Sequence, residues 1–192
     1  MVRVIARTLA TMNTGLTVAL LVLVTASGAS AQQYRDELLV LEVPEGFEGP
    51  VEESPGPQAK TVAYTKPYAR ADGGTLFQIT EFDMGEALRG MPEGERGATA
   101  DFYLAQFLGG VERRRTNFTA TAPQRLELGG LPAARATWTG VAAGQRASGV
   151  MYCVVVGTVV VSFHTQDIES APPENRAAAI RAFESVVVRD GG

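Results

Sequence analysis

The chain has one cysteine, one histidine and one tryptophan in 192 residues, and each scarcity removes a class of chemistry. A lone Cys153 cannot build a disulfide framework or a thiolate metal cluster, because both need several sulfurs. A lone His164 removes every site that needs two imidazoles. Basic residues number 17 against 21 acidic ones, for a net charge of -4 and a pI near 5.1. The overall basicity of a nucleic-acid binder is therefore missing, and no nucleic-acid partner is expected. The sequence has no Gly-rich phosphate loop and no H-E-x-x-H; its paired glycines at 73–74, 109–110 and 129–130 fall in separate turns. No cofactor is implied. What remains is 45% hydrophobic and 20% charged with a mean hydropathy of +0.03, an ordinary globular composition.

The first 31 residues read as a secretory leader rather than as part of a fold. Arg3 and Arg7 give a basic start without an acid, Leu16 to Val24 is apolar, and Ala29-Ser30-Ala31 fits the A-x-A rule for cleavage. The apolar stretch is about half of the roughly 20 residues that a bilayer core demands. No cysteine stands at the cleavage point to carry a lipid. A cleaved leader over 1–31 and one domain over 32–192 follow, with the mature chain exported to the periplasm or secreted and free of a transmembrane helix.

Within 32–192 the pattern alternates strands and helices. Leu38 to Val43 is β-leaning and stopped by Pro44-Glu45-Gly46. Glu48 to Gln58 is acidic and proline-rich, and reads as an exposed loop. Thr61 to Thr65 and Thr75 to Phe82 are extended, with a reversal at Asp72-Gly73-Gly74 between them; Phe77 and Ile79 share a face. Residues 85–97 read as a loop. A helix then opens at 98–99, with Ala100, Tyr103, Leu104, Phe107, Leu108 and Val111 at helical spacing. Leu126 to Leu128 and Ala134 to Gly140 flank a Gly129-Gly130 turn. Ser148 to His164 is too β-branched for a helix; Gly157 divides it into a hairpin expected to be covered on both faces. Pro172-Pro173 opens a last helix whose Ala177, Ala179, Ile180, Phe183 and Val187 point inward. The fold class is α/β (α+β), a mostly antiparallel sheet between helices.

Val43-Pro44-Glu45-Gly46-Phe47, Leu128-Gly129-Gly130-Leu131-Pro132-Ala133 with the following Ala134 to Gly140, the closing hairpin and Phe183-Glu184-Ser185-Val186 form a recognisable order. Over residues 38–188 the chain resembles the PsbP-like superfamily, which takes in a photosystem II extrinsic subunit, a Ran-binding import factor and many bacterial envelope proteins. The resemblance implies an antiparallel sheet sandwiched by helices and a non-catalytic binding or assembly role. It brings no catalytic motif to any position here.

Few residues invite chemistry. His164 has Ser162 and Asp167 nearby, the types of a hydrolase triad, without a nucleophile elbow. Cys153 sits in an apolar run that favours a buried, unreactive thiol. Glu81 and Asp83 are the carboxylates best spaced for a weak divalent metal, though no metal site is expected. Tyr103, Phe107 and Trp138 could line a small-ligand pocket for a lipid or metabolite between sheet and helix. Residues 111–146 hold six arginines against two acids. Arg113, Arg114, Arg115, Arg135 and Arg146 form a candidate partner-binding patch for an envelope protein or an anionic lipid surface; the alternative is solvated cations at a helix C-terminus. The reading is of an exported, non-catalytic accessory or binding protein, not an enzyme, and a monomer. Export should leave Gln32 as the first residue; N-terminal sequencing of the exported protein checks this, and an intact Met1 there would defeat it.

Overall fold

Side chains alternate across a strand, so each strand of this chain divides its residues between two environments, and the two faces of the main sheet are unlike. The structure, a computed structural model, describes residues 32–67 and 74–189; the leader and the Asp72-Gly73 reversal lie outside them. In chain order the elements are β1 (Gln33–Arg35), β2 (Leu39–Glu42), β3 (Glu48–Gly56), β4 (Ala59–Lys66) and β5 (Thr75–Asp83). A short 3-10 turn at Gly85–Ala87 precedes α1 (Glu93–Glu112). Then come β6 (Thr116–Ala120), β7 (Gln124–Leu128), β8 (Leu131–Ala142), β9 (Gln145–Val156), β10 (Val159–Ile168), α2 (Pro173–Glu184) and β11 (Val187–Val188).

Eight strands form one antiparallel sheet in the order β3-β4-β5-β10-β9-β8-β6, with β7 pairing the first half of β8. A second, three-stranded sheet runs β1-β2-β11. The β9–β10 hairpin is the one expected, turning through Gly157 at φ 59°, a backbone region that glycine enters without a steric penalty.

One face of the main sheet is fully covered. Helix α2 and the small sheet bury Leu39, Leu41, Ala179, Ala182 and Phe183 against Phe77, Ile79, Tyr152, Val161 and Phe163. Phe77 is the hub, with ring centres 4.8 Å from Tyr64, 5.2 Å from Phe47 and 5.4 Å from Phe183. The other face is covered by α1 alone, which lies on β8 and β9. Its Ala100, Leu104, Leu108 and Val111 meet Ala134, Ala136, Trp138, Met151 and Cys153. Gly149 makes room here: a Cβ at that position would stand 2.6 Å from Trp138 Nε1. Arg125 on β7 clamps α1 through Asp101 at 2.8 and 2.9 Å.

The structure corrects the sequence reading in five places. Glu48–Gly56 is a strand rather than a loop; it is an edge strand paired only with β4, and its register shifts in the two segments that hold Pro50 and Pro55, as an edge position allows. Helix α1 begins at Glu93, inside the expected loop. Pro92 precedes its first turn and Glu93 and Glu95 complement the N-terminal dipole, which offsets Gly94 and Gly97. Thr116–Ala120 pairs β8 as an unanticipated strand. Val187 leaves α2 for β11 and is exposed. Finally, β10 is covered on both faces only in its first half: Val160 and Ser162 are buried on the α1 side, whereas His164 and Gln166 on that side are only half-buried.

Helix α2 is fixed to the sheet by charge as well as by Phe183. Arg176 Nε donates to Asp167 Oδ2 at 2.5 Å, Thr75 Oγ1 donates to Asp167 Oδ1 at 2.7 Å, and Arg176 also reaches Ser148 Oγ. Asp167 is 1% exposed, so removing its cation strands a buried carboxylate. Arg176→Met should cost about 3 kcal/mol, read by chemical denaturation; a loss under about 0.5 kcal/mol would mean that the pair does not hold α2.

Candidate functional site

Helix α1 stops over β9, and beyond it the sheet face is bare. The alternation of β5 and β10 sets a row of polar groups in the middle of that face, with Leu76 and Phe82 of β5 also lining it. Gln78 and Thr80 come from β5, and Ser162, His164 and Gln166 from β10; their registers pair Gln78 with His164 and Thr80 with Ser162. Thr61 of β4 pairs Thr80 and extends the row. Together they floor a groove of about 520 Å³, walled by Gln106, Phe107 and Gly110 of α1, the arginines 113–115, and Glu53 and Pro55 of β3. Phe82 closes one end and stacks on Phe107 at 5.3 Å.

Trp138 anchors the groove from below. Its Nε1 donates to His164 Nε2 at 3.1 Å, which leaves Nδ1 as the protonated nitrogen. Burial, with the Arg115 charge added, pulls the His164 pKa down to about 3. The imidazole is therefore neutral at any physiological pH. Arg115 lies over the indole with its guanidinium carbon 4.4 Å from the ring centre. It donates to Val111 O at 2.9 Å and to Gln166 Oε1. Burial and the neighbouring Arg114 lower the Arg115 pKa, a direction that leaves a guanidinium charged in a protein.

The arrangement is ill suited to a hydrolase centred on His164. Ser162 and His164 share the groove face, but Asp167, odd-numbered on the same strand, points to the opposite face and Arg176. The Nε2 lone pair that would take a serine proton is held by Trp138. Cys153 is buried under α1, and burial with the Asp101 charge pushes its thiol up to about 12, away from thiolate chemistry.

Of the five arginines in the expected patch, Arg113, Arg114 and Arg115 line the groove. Arg135 lies on the opposite face, 5.6 Å from the Tyr152 ring centre, and Arg146 is 3.6 Å from Glu169 on an exposed edge. The pocket anticipated around Tyr103, Phe107 and Trp138 is packed shut, with Trp138 1% exposed. The groove lies beside the helix rather than beneath it, and only Phe107 of the three lines it. Gln78, Thr80 and Gln166 escaped the sequence reading. Their signal was the alternation of polar and apolar residues in Thr75–Asp83 and Val159–Ile168.

Glu81 and Asp83 part company. Asp83 accepts from Gly85 N at 2.8 Å and from Thr158 Oγ1 at 3.2 Å, shaping a turn. Glu81 faces Asp36, and Tyr34 donates its hydroxyl to Asp36 and lies 3.1 Å from Glu81 Oε1. Lys60 stands 3.6 Å from Asp36. Burial, reinforced by the neighbouring Asp36, pushes the Glu81 pKa up to about 7. Although burial opposes it, hydrogen bonds from Glu81, Tyr34 and the N–H groups of Leu39 and Leu38 hold Asp36 below its ordinary value. One proton is thus shared between two carboxylates joining the small sheet to the large one. Among the described residues, no group of three or more His, Cys, Asp or Glu could hold a metal ion, and no helix is long and apolar enough to cross a membrane.

Solved structures complete the picture of the fold. The cyanobacterial PsbP of Synechocystis sp. PCC 6803 superposes with a TM-score of 0.61 at 10% identity, over 86% of this chain and 96% of that one. The fold is PsbP-like. LpqN of Mycobacterium tuberculosis, described as involved in cell envelope biogenesis, shares the PsbP-like architecture with a TM-score of 0.54 at 15% identity, over 85% of this chain and 88% of that one. A Pseudomonas aeruginosa protein of unknown function, described as a putative regulator, gives 0.50 at 16% identity, over 83% and 98%. No family model and no curated protein matches the sequence.

The shared proton makes stability depend on pH. Folded Glu81 keeps its proton up to about 7, whereas an unfolded glutamate loses it near 4.3. In that window the folded state binds more protons, so its contribution is complete below the unfolded value and is lost as pH rises through 7. Melting temperature should fall between pH 5 and 8, and Glu81→Gln, which keeps a donor towards Asp36, should flatten that fall. A variant curve parallel to the parent's would exclude the shared proton.

Proposed function

We propose that this PsbP-like protein is exported and serves the bacterial envelope as a non-catalytic binding protein, with the open groove as its working surface. The observation that carries the reading is the groove itself: a concave sheet face with a row of polar side chains that helix α1 leaves uncovered. Sites of a few hundred cubic ångströms with convergent polar groups are where small molecules bind. The basic start, apolar stretch and A-x-A of residues 1–31 support export. The envelope role described for LpqN fits the same setting.

The non-catalytic part rests on side-chain placement. A hydrolase would need a base with a free lone pair beside a nucleophile, and here the imidazole is committed to Trp138 and its carboxylate neighbour is on the other face. An anionic membrane or an acidic protein meeting only exposed arginines remains the second reading, favoured by Arg113 and Arg114 at the groove's edge. Thr80→Trp separates the two, since a bulky ring fills the floor and leaves the arginines in place. It should fold with a melting temperature near the parent's and fail to restore the envelope phenotype of a strain lacking the gene. Full restoration by Thr80→Trp would put the working surface elsewhere.

A further inference from the structure

We infer that the groove takes a phosphorylated polyol, a small molecule that carries a ring of hydroxyl groups and one phosphate; this rests on the groove being the working surface proposed above. The floor is a regular grid. Gln78 opposite His164 and Thr80 opposite Ser162 place polar groups about 5 Å apart across the strands and about 7 Å apart along them. Opposite hydroxyls of a six-membered ring have a comparable separation.

Bonds within the floor leave each of these groups half used. Gln78 Nε2 donates to Thr80 Oγ1 at 3.2 Å, which leaves the Gln78 carbonyl. Arg115 takes the Gln166 carbonyl, which leaves its amide N–H groups. Trp138 takes His164 Nε2, which leaves Nδ1–H. Ser162 is 4% exposed, lines the groove, and its hydroxyl has no hydrogen-bond partner among the described residues. The floor therefore offers donors and acceptors side by side. A hydroxyl is both at once, so a polyol satisfies this floor, whereas an apolar ligand would leave its groups unpaired.

The phosphate follows from charge. Arg113 and Arg114 are exposed at the end of α1 and form no ion pair among the described residues. Arg115 adds a third positive charge, and Glu53 on the far wall is the one acid lining the groove among the described residues. The negative C-terminal end of the helix offsets about half a charge, and a clear positive excess remains. Two free guanidinium forks on adjacent residues suit a group with three acceptor oxygens.

The test titrates the purified protein with inositol 1-phosphate, with inositol and with inorganic phosphate. Trp138, the only tryptophan and stacked on Arg115, reports through its fluorescence, and amide shifts of β5 and β10 report from the floor. Inositol 1-phosphate should bind at least about tenfold more tightly than either fragment. Replacing both Arg113 and Arg114 by Gln should weaken it by about tenfold, a loss of about 1.4 kcal/mol. Equal affinity for inositol, or for phosphate alone, overturns the inference. So does a floor silent to all three probes, and if Thr80→Trp still loses function in the cell, the ligand class fails while the groove reading stands. Vesicles of phosphatidylcholine with and without phosphatidylinositol distinguish the source. Added binding to the phosphatidylinositol vesicles assigns a lipid headgroup, and binding to the soluble probe alone assigns a free metabolite; either supports the inference.

Discussion

An α-helix with its side chains is about 10 Å across, and neighbouring strands lie about 4.8 Å apart. One helix therefore covers little more than two strands, and that mismatch of widths governs the α1 side of this sheet. Ala134, Ala136 and Ala147 let α1 approach β8 and β9 closely, and Trp138, for which Gly149 makes room, fills the remaining space. Past the helix edge no apolar cover exists, and β10, β5 and β4 turn hydroxyls, amides and an imidazole to the open side. On the other face α2 and a three-stranded sheet together span the strands, and there the same strands present Phe77, Ile79, Val161 and Phe163. The groove is thus the part of a wide sheet that one helix cannot reach.

Alternation along β10 then sorts chemistry by parity. Ser162, His164 and Gln166 enter the groove, while Phe163, Thr165 and Asp167 enter the core below. Asp167 is accommodated there because Arg176 and Thr75 bond its carboxylate and Ser148 accepts from Arg176 in turn, in keeping with the rule that a buried charged group must be paired. His164 is neutral for a related reason: partial burial and a nearby guanidinium both penalise an imidazolium. Residues three apart in sequence accordingly play unconnected roles, one in the open site and one in the anchoring of α2.

The same parity explains what could be read in advance. The β9–β10 hairpin, the Gly129-Gly130 turn and the apolar stripe of α1 follow from β-branched runs, turn chemistry and helical spacing, all of which are local. Strand β3 was not legible, because its Pro and Glu content describes an edge strand as well as it describes a loop, and only the partner β4 decides between them. The groove was half legible. Thr75–Asp83 and Val159–Ile168 each carry an alternating polar face, but that these two faces are neighbours depends on a pairing 80-odd residues apart. The arginine cluster was visible in composition, yet which members share a side depends on strand parity at 135 and at 146, near the start of β9.

Arg115 joins the covered and open halves of the α1 face, and it clarifies what its neighbours are free to do. Its guanidinium sits over the Trp138 ring, bonds back to Val111 O and reaches across to Gln166. A cation held over an aromatic ring gains about 0.5–2 kcal/mol, so Arg115 adds to the fixing of α1's end while it forms one wall of the groove. Arg113 and Arg114 have no such tie and stand in water, where an unpaired cation costs little and can change partners freely. The three consecutive arginines are therefore not equivalent. One belongs to the architecture that walls the groove, and the other two are exposed charges at its mouth without an ion pair among the described residues, their field screened over roughly 8 Å at physiological ionic strength.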